Sequence, residues 1–390
     1  INHIKHRRFK EAIITIKERN PMPLSVGRVC PHPCERNCRR GLVEEVVAIN
    51  HMKRFCADIE MNSGSAYAVD CNPDTGRRVA IIGGGPAGLS CAYYLRRLGH
   101  SPVIFDMMPK LGGMTRYGIP EYRLPKKILD WEIDAILGLG VEARTNVKLG
   151  KDFTLKDLSD QGFEAIFIAI GAWESTPMRV ENEHAEGVLS GIKFLERQHT
   201  GDPMPLGKRV AIIGGGNTAM DAARTSIRRG ADEVIVVYRR TRAEMPAESY
   251  EVDEAEDEGV KFHFLAAPTK IILGADGRVK AMEIQRMKLG EPDKSGRRSP
   301  VPIEGAFDTI EVDNVIAAIG QRADLSFLKN DSLAAGKIEA TKWSTIPADA
   351  GTLQTKIPYV LTGGDCFTGP LTVVAAIGAG RRAARSIHLY

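Results

Sequence analysis

Long apolar runs are what this 390-residue sequence most plainly lacks. The best of them, AIFIAIGA at residues 165–172, is only strand-length, whereas a membrane-crossing helix needs ~18–20 apolar residues. No helical membrane span is therefore expected. The opening INHIKHRRFKEA has no apolar core, which excludes a secretory signal there. It begins with Ile, reads as the middle of a helix, and is expected to continue upstream. Aromatic residues make up 6% of the chain, the formal net charge is only +4, and no basic run is interleaved with aromatics. Nucleic acid is accordingly not implied as a partner. Cysteine is scarce too. Seven residues, an odd number, are too few and too scattered for a secreted disulfide framework, so a reducing, cytoplasmic setting is expected.

What is present is an ordinary globular composition, 43% apolar and 26% charged, in a chain long enough for two or three domains. One stretch organises it. RVAIIGGGPAG, residues 78–88, runs four apolar residues into a glycine turn and the start of a helix. Gly83, Gly85 and Gly88 make the G-x-G-x-x-G of a dinucleotide turn. Gly83 permits the turn, Gly85 lets backbone approach a pyrophosphate, and Gly88 lets helix pack on strand. The helix N-terminus that follows offers free N–H groups to phosphates. The next strand, 102–105, ends in Asp106, placed where a carboxylate accepts ribose hydroxyls; the plain alternative is a solvated strand end.

Nearly the same words return at 209–216, RVAIIGGG, and continue NTAMD. Gly214 and Gly216 open this turn, Asn217 and Thr218 follow, and Ala219 takes the third glycine's place, which a small residue can do. The following strand, 233–238, ends in Arg239 and Arg240, with Arg242 just after. Guanidinium forks there suit the 2′-phosphate of NADP(H), against the plain reading of a basic strand end. AIFIAIG at 165–171, ending in Gly171, is echoed by NVIAAIG at 314–320, ending in Ile319 and Gly320. Each half thus holds a glycine-turn strand and a later AIG strand: two dinucleotide-binding folds, the first interrupted by the second and completed by the C-terminal segment.

Elsewhere the reading is coarser. Residues 9–19 read as a helix, 62–77 as a linker, and 201–208 as a turn-rich domain entry. LGGMTRYGIPEYRLPK, 111–126, is too constrained for a plain connector and brings Arg116 and Arg123 toward the first cofactor. The acidic helix at 244–259 reads as a solvated face, and turns are expected at 274–277 and 294–298. Cys30, Cys34 and Cys38, in VCPHPCERNC, do not have the C-x2-C spacing of a zinc ribbon. Close thiolates suit an iron–sulfur cluster, but three are one short of a four-thiolate site; zinc and simple buried thiols remain alternatives.

With these residues in place, the chain resembles the glutamate synthase small-subunit family of FAD- and iron–sulfur-containing NAD(P)H oxidoreductases. The module is shared with dihydropyrimidine dehydrogenase and bifurcating transhydrogenases. The resemblance rests on GRVCPHPCERNC, VAIIGGGPAGLSCAYYL, LGGMTRYGIPEYRLP, VAIIGGGNTAMD, VVYRRTRAEMPA and GGDCFTGPLTVVAAI, six motifs in the family's order. It implies an α/β fold of two Rossmann-like domains preceded by a small helical iron–sulfur domain. The implied limits are 1–72 for the iron–sulfur domain, 73–200 and 321–390 for the FAD domain, and 201–320 for the NAD(P)H domain. FAD would be held by Gly83, Gly85, Pro86, Ala87, Gly88, Asp106, Gly113, Met114, Arg123, Val147, Gly171, Gly364, Asp365, Thr372 and Val373. NADPH, or NADH, would be held by Gly214, Gly216, Asn217, Thr218, Ala219, Arg239, Arg240, Ile319 and Gly320. Cys30, Cys34 and Cys38 would be shared between two 4Fe–4S clusters. Two departures stand out: the family's other cysteines precede residue 1, and a Glu or Gln ligand position appears here as Lys53.

The implied activity is hydride transfer between NADPH and FAD, with single electrons passing to the clusters and a redox partner subunit or ferredoxin-like acceptor in a hetero-oligomer. The step needs no acid–base pair, and none stands out in the sequence. A disulfide reductase would need two neighbouring cysteines at the flavin, and Cys91 and Cys366 are each solitary. A relay or scaffold subunit without turnover and a free-standing NADPH–ferredoxin reductase are the remaining rivals.

Overall fold

The computed structural model describes residues 1–293 and 296–390. The turn expected at 294–298 begins outside the described residues. After a one-turn helix at Asn2–Lys5 come helices α1 (Phe9–Lys17), α2 (Pro23–Val29) and α3 (Ile49–Asn62), with the cysteine loop between the last two. Then come β1 (Arg78–Ile82), α4 (Pro86–Arg97), β2 (Ser101–Phe105), α5 (Lys126–Leu137), β3 (Glu142–Arg144) and β4 (Ala165–Ile168). The middle part carries β5 (Val188–Ser190), β6 (Arg209–Ile213), α6 (Asn217–Arg228), β7 (Glu233–Tyr238), α7 (Ser249–Asp257), β8 (Lys261–Phe264), β9 (Ala266–Leu273), β10 (Val279–Pro292), β11 (Arg298–Glu311) and β12 (Asn314–Ala317). β13 (Val360–Thr362) and α8 (Val373–Leu389) close the chain. Among the described residues no helix is long and apolar enough to cross a membrane.

Two compact units result. The first holds Ile1–Arg116, Glu121–Trp173 and Arg322–Tyr390; the second holds Tyr117–Pro120 and Glu174–Gln321. Residues 174–200, which the sequence assigns to the first domain, fall in the second unit because β5 pairs with β12, Val188 opposite Val315.

The first unit is built on a parallel sheet ordered β13-β4-β1-β2-β3, the second on one ordered β5-β12-β6-β7-β8. In each, the glycine-turn strand is central, between its AIG strand and the strand that follows it: Ala80 faces Ile166 and Val103, and Ala211 faces Val315 and Ile235. Unbroken apolar strands make sense only if both faces are covered. In the first unit Val79 and Ile81 pack with α4, α5 and α8, while Ala80 and Ile82 pack with residues of the 323–357 segment. In the second, Val210 and Ile212 face α6 and α7, and Ala211 and Ile213 face the antiparallel sheet β9-β10-β11.

The C-terminal helix completes the first unit at close range. A Cβ on Gly380 would lie 2.1 Å from the Ala87 carbonyl oxygen, and Ser90 Oγ donates to the Ile377 carbonyl at 2.8 Å. Backbone against backbone leaves no flexible atom to yield. Gly380→Ala is therefore expected to cost about 1–3 kcal/mol by overpacking the α4–α8 contact, measured by denaturant unfolding.

Candidate functional site

The two turns have the same construction. Gly83 has φ +107, and a Cβ there would meet the Ala169 carbonyl oxygen at 2.3 Å; Gly214 has φ +140, and its Cβ would meet the Ala318 carbonyl at the same 2.3 Å. Those carbonyls explain the repeated AIG words, since each belongs to the AIG strand's exit. The amides of Ala169 and Ala318 donate back to Ile82 and Ile213, each at 2.8 Å. A Cβ on Gly88 would sit 1.9 Å from the Gly83 oxygen, which only glycine avoids, whereas Ala219 fits in the second turn. Gly85 and Gly216 are different. Their nearest prospective neighbours are 3.8 and 3.9 Å away, and their φ values of −76 and −97 suit any residue. The protein's own packing does not require glycine there, and the helices that follow, α4 and α6, start without a side-chain cap. Room above an uncapped helix start is what a pyrophosphate needs.

Around the first turn the chain brings together several of the sequence-marked residues. A Cβ on Gly113 would lie 2.9 Å from Gly85 Cα, Gly112 N–H donates to Gly84 O at 2.8 Å, and a Cβ on Gly364 would touch Ala87. Met114 opens a short helix after that loop, and Arg123 is half-buried. Arg116 is spent internally, on the Leu111 carbonyl and Asp130. Asp106, buried at the end of β2, accepts from Gly84 N–H at 2.6 Å and Met108 N–H at 2.7 Å. Burial raises its carboxyl pKa while those two amides oppose the rise. Two amides leave lone pairs on this carboxylate for further donors. Val147 N–H donates to the Asp106 carbonyl at 3.0 Å, and half-buried Gly171 has φ +70. Asp365 accepts from Leu371 N–H at 3.2 Å, and burial pushes its carboxyl up to about 6. Thr372 caps α8 through Ala375 N–H, and half-buried Val373 packs on the adjoining core.

At the second turn Asn217 Oδ1 accepts from Glu248 N–H at 3.0 Å, and Gly215 O accepts from Ala247 N–H at 3.0 Å. Thr218 Oγ1 accepts from Gln321 Nε2 at 3.4 Å. Ile319 is exposed, and Gly320, φ +127, accepts from Thr176 N–H at 3.0 Å. The arginines after β7 separate sharply. Arg239 is exposed, with no partner among the described residues. Arg240 is buried, its Nη2 2.7 Å from Asp293 and its Nε donating to the Arg298 carbonyl at 2.7 Å. The acidic helix is the solvated face its composition suggests only in part: Asp253, Glu254, Glu256 and Asp257 are exposed. Glu251 of α7 is buried against Arg224 at 3.3 Å, and Arg224 also holds Glu254 at 2.6 Å and Glu258 at 2.7 Å.

In the cysteine loop Cys30 is buried, Cys38 half-buried and Cys34 exposed. Among the described residues no three His, Cys, Asp or Glu side chains gather closely enough to hold a metal ion. Backbone amides of Val47 and Arg40 lower the Cys38 thiol pKa. Burial lowers the Lys53 ammonium pKa, opposed by the charges of Cys30, Cys34, Glu35 and Glu132. So Lys53 lies in the field of two of the three thiols. Cys91 and Cys366 are buried in separate core clusters and all seven cysteines are free, so the described residues form no disulfide pair.

One supporting residue escaped the sequence reading. Glu132 of α5 is buried and accepts from Leu24 N–H at 2.5 Å and Ser25 N–H at 2.9 Å, the first turn of the helix that ends at Cys30. The signal was there: Leu129, Glu132, Ile133 and Ile136 share one helical stripe, and a carboxylate in an apolar stripe needs a buried partner. Burial pushes this carboxyl up from 4.5 to about 7. Between those values the folded state keeps a proton that the unfolded chain has lost. Stability is therefore expected to fall as pH rises from about 4.5 to about 7 and to level off above, by about 3 kcal/mol from this group. Asp365 acts in the same direction. Unfolding curves across that range should show a distinctly shallower fall in Glu132→Gln than in the parent; equal slopes would refute the assignment.

The comparisons agree with this architecture. Residues 77–380 match the family described as pyridine nucleotide-disulphide oxidoreductase, and residues 1–65 match dihydropyrimidine dehydrogenase domain II, 4Fe-4S cluster. The chain is 46% identical to the NADP(+)-dependent formate dehydrogenase subunit beta of Moorella thermoacetica, over all of this chain and 57% of that protein. It therefore spans little more than half the length of that relative. It is 36% identical to the glutamate synthase [NADPH] small chain of Escherichia coli K12, over 97% of this chain and 83% of that one. Among solved structures, Mycobacterium tuberculosis FprA in complex with NADPH shares the fold, with a TM-score of 0.69 at 19% identity over 81% of this chain and 84% of that one. The chain belongs to the pyridine nucleotide-disulphide oxidoreductase family, in the group that includes the glutamate synthase small chain.

Proposed function

We propose that the chain is an electron-transfer subunit that binds FAD at the first glycine turn, NADPH at the second, and iron–sulfur clusters through its cysteine loop. The observation that carries the reading is the contrast between two turns of one construction: the strand after the first ends in Asp106, the strand after the second in exposed Arg239. A carboxylate accepts ribose hydroxyls and repels a 2′-phosphate; a guanidinium does the reverse. The chemistry the bound groups supply is hydride exchange between nicotinamide and flavin and single-electron exchange at iron and sulfur.

The chain's own part is to bind and orient. Gly83, Gly85 and Gly88, with the α4 N-terminus, would hold the FAD pyrophosphate, and Asp106, fixed by two backbone amides, the ribose. Gly113, Met114, Arg123, Val147, Gly171, Gly364, Asp365, Thr372 and Val373 would line the rest of the flavin. Gly214, Gly216, Asn217, Thr218 and Ala219 would hold the NADPH pyrophosphate, with Ile319 and Gly320 nearby. Cys30, Cys34 and Cys38 have soft thiolate chemistry that suits iron, and their remaining ligands would come from outside the described residues. The relatives' names, a subunit beta and a small chain, support a redox partner and a hetero-oligomer.

Anaerobic titration of the flavin-loaded protein with NADPH and with NADH tests the reading. NADPH is expected to bleach the flavin band at a lower concentration than NADH. Failure of both to bleach it would sink the proposal, and co-purification with a second redox polypeptide would test the partner.

A further inference from the structure

The arginines after β7 differ in what holds them, and the third has the most to say. Arg242 lies in a short helical turn, Arg242–Glu244, closed by a capping box between Thr241 and Glu244. Its Nη1 is 2.6 Å from Glu256 Oε1, and its Nη2 is bonded to Asp253. Both ends of this contact are anchored. The loop carrying Arg242 lies on the second glycine turn through Ala247 N–H to Gly215 O and Glu248 N–H to Asn217 Oδ1, and Tyr238 OH donates to Glu244 O at 2.8 Å. The helix carrying the carboxylates, α7, is bolted to α6 by Arg224 through Glu251, Glu254 and Glu258. Helical spacing puts those three on one face of α7 and Asp253 and Glu256 on another flank.

We propose that Asp253 and Glu256 form a carboxylate latch on Arg242 that competes with the 2′-phosphate of NADPH, and so sets how strongly the site prefers NADPH to NADH. This rests on reading the second turn as the NADPH site. The side chains of Arg242, Asp253 and Glu256 are 41%, 61% and 44% exposed, and solvent-exposed ion pairs contribute little. A phosphate carrying nearly two charges and accepting a guanidinium fork is a stronger partner and can take Arg242 from them. Opening the latch leaves two carboxylates beside that phosphate, which weakens NADPH binding. NADH has no such group, leaves the latch closed, and is indifferent to it. Arg239 supplies the resting attraction, and the latch trims it.

The test is the flavin-loaded Asp253→Asn/Glu256→Gln protein, titrated anaerobically with NADPH and with NADH, with NADP+ binding by fluorescence as a readout independent of turnover. The NADPH midpoint is expected to fall about 3–10-fold and the NADH midpoint to move less than about twofold, the gain shrinking as salt screens it. In an Arg242→Gln background the same neutralisations are expected to change nothing. An unchanged NADPH/NADH ratio would overturn the latch, and so would a gain that persists without Arg242, which would be bare charge removal. A purely structural pair would shift the thermal midpoint and leave the ratio alone. Arg239→Ala separates the two levels. Equal weakening of both nucleotides would fail the underlying NADPH reading, whereas a selective loss with inert latch variants would fail the latch alone.

Discussion

Gly85→Ala is expected to give a protein that folds and melts like the parent apo-protein but binds FAD about 100-fold more weakly, a loss of about 2.7 kcal/mol. Gly88→Ala is expected to fail earlier, at folding. The difference follows from what each Cβ would meet. At Gly88 it lands 1.9 Å from a backbone oxygen and 3.2 Å from Ile81 Cγ2, so helix and strand must separate. Overpacking of that kind costs about 1–3 kcal/mol, and more where only backbone can move. At Gly85 the nearest atom among the described residues is Gly113 Cα at 3.8 Å, and the backbone conformation is open to any residue. Glycine there answers to something the chain itself does not contain. Flavin absorbance after reconstitution, set beside the apo-protein melting curve, distinguishes the two. A Gly85→Ala protein that retains flavin with parental affinity would remove the pyrophosphate from that turn. Gly216→Ala makes the matching case for the second turn, with nucleotide affinity as the readout.

Much of this was legible from words and their order. The two glycine strands, the strand ending at Tyr238 and the linker before β1 all follow from local chemistry: apolar runs and breakers. The repeated AIG was visible, but its cause was not. Only pairing in space shows that the carbonyls of Ala169 and Ala318 crowd Gly83 and Gly214. Charged residues were the least legible. Arg239, Arg240 and Arg242 are equivalent as letters, yet one is exposed, one sealed by Asp293 and one held by Asp253 and Glu256. The acidic helix looked wholly solvated because its partners, Arg224 and Arg228, lie on a helix well upstream. Partners distant in sequence leave no periodic trace. The membership of 174–200 in the second unit was hidden for the same reason, since β5 is three residues long and is defined by its neighbour.

Arg239→Ala is the other large expected effect. Hydrogen bonds from a charged donor contribute about 1.5–3 kcal/mol, so NADPH binding should weaken about 10–150-fold while NADH binding stays nearly constant. Arg240→Gln is the informative contrast. Its guanidinium is buried and held by Asp293 through Nη2 and by the Arg298 carbonyl through Nε, so a phosphate would have to compete with those internal bonds. Its loss should instead cost about 2 kcal/mol of stability, because the buried guanidinium's bonds to Asp293 and to a backbone carbonyl are both removed. The NADPH/NADH ratio should stay at the parental value. Paired titrations and melting curves of both variants decide the matter. If Arg240→Gln changes the ratio as much as Arg239→Ala does, the phosphate is read by a rearranged Arg240, and the internal ion pair with Asp293 must break when nucleotide binds.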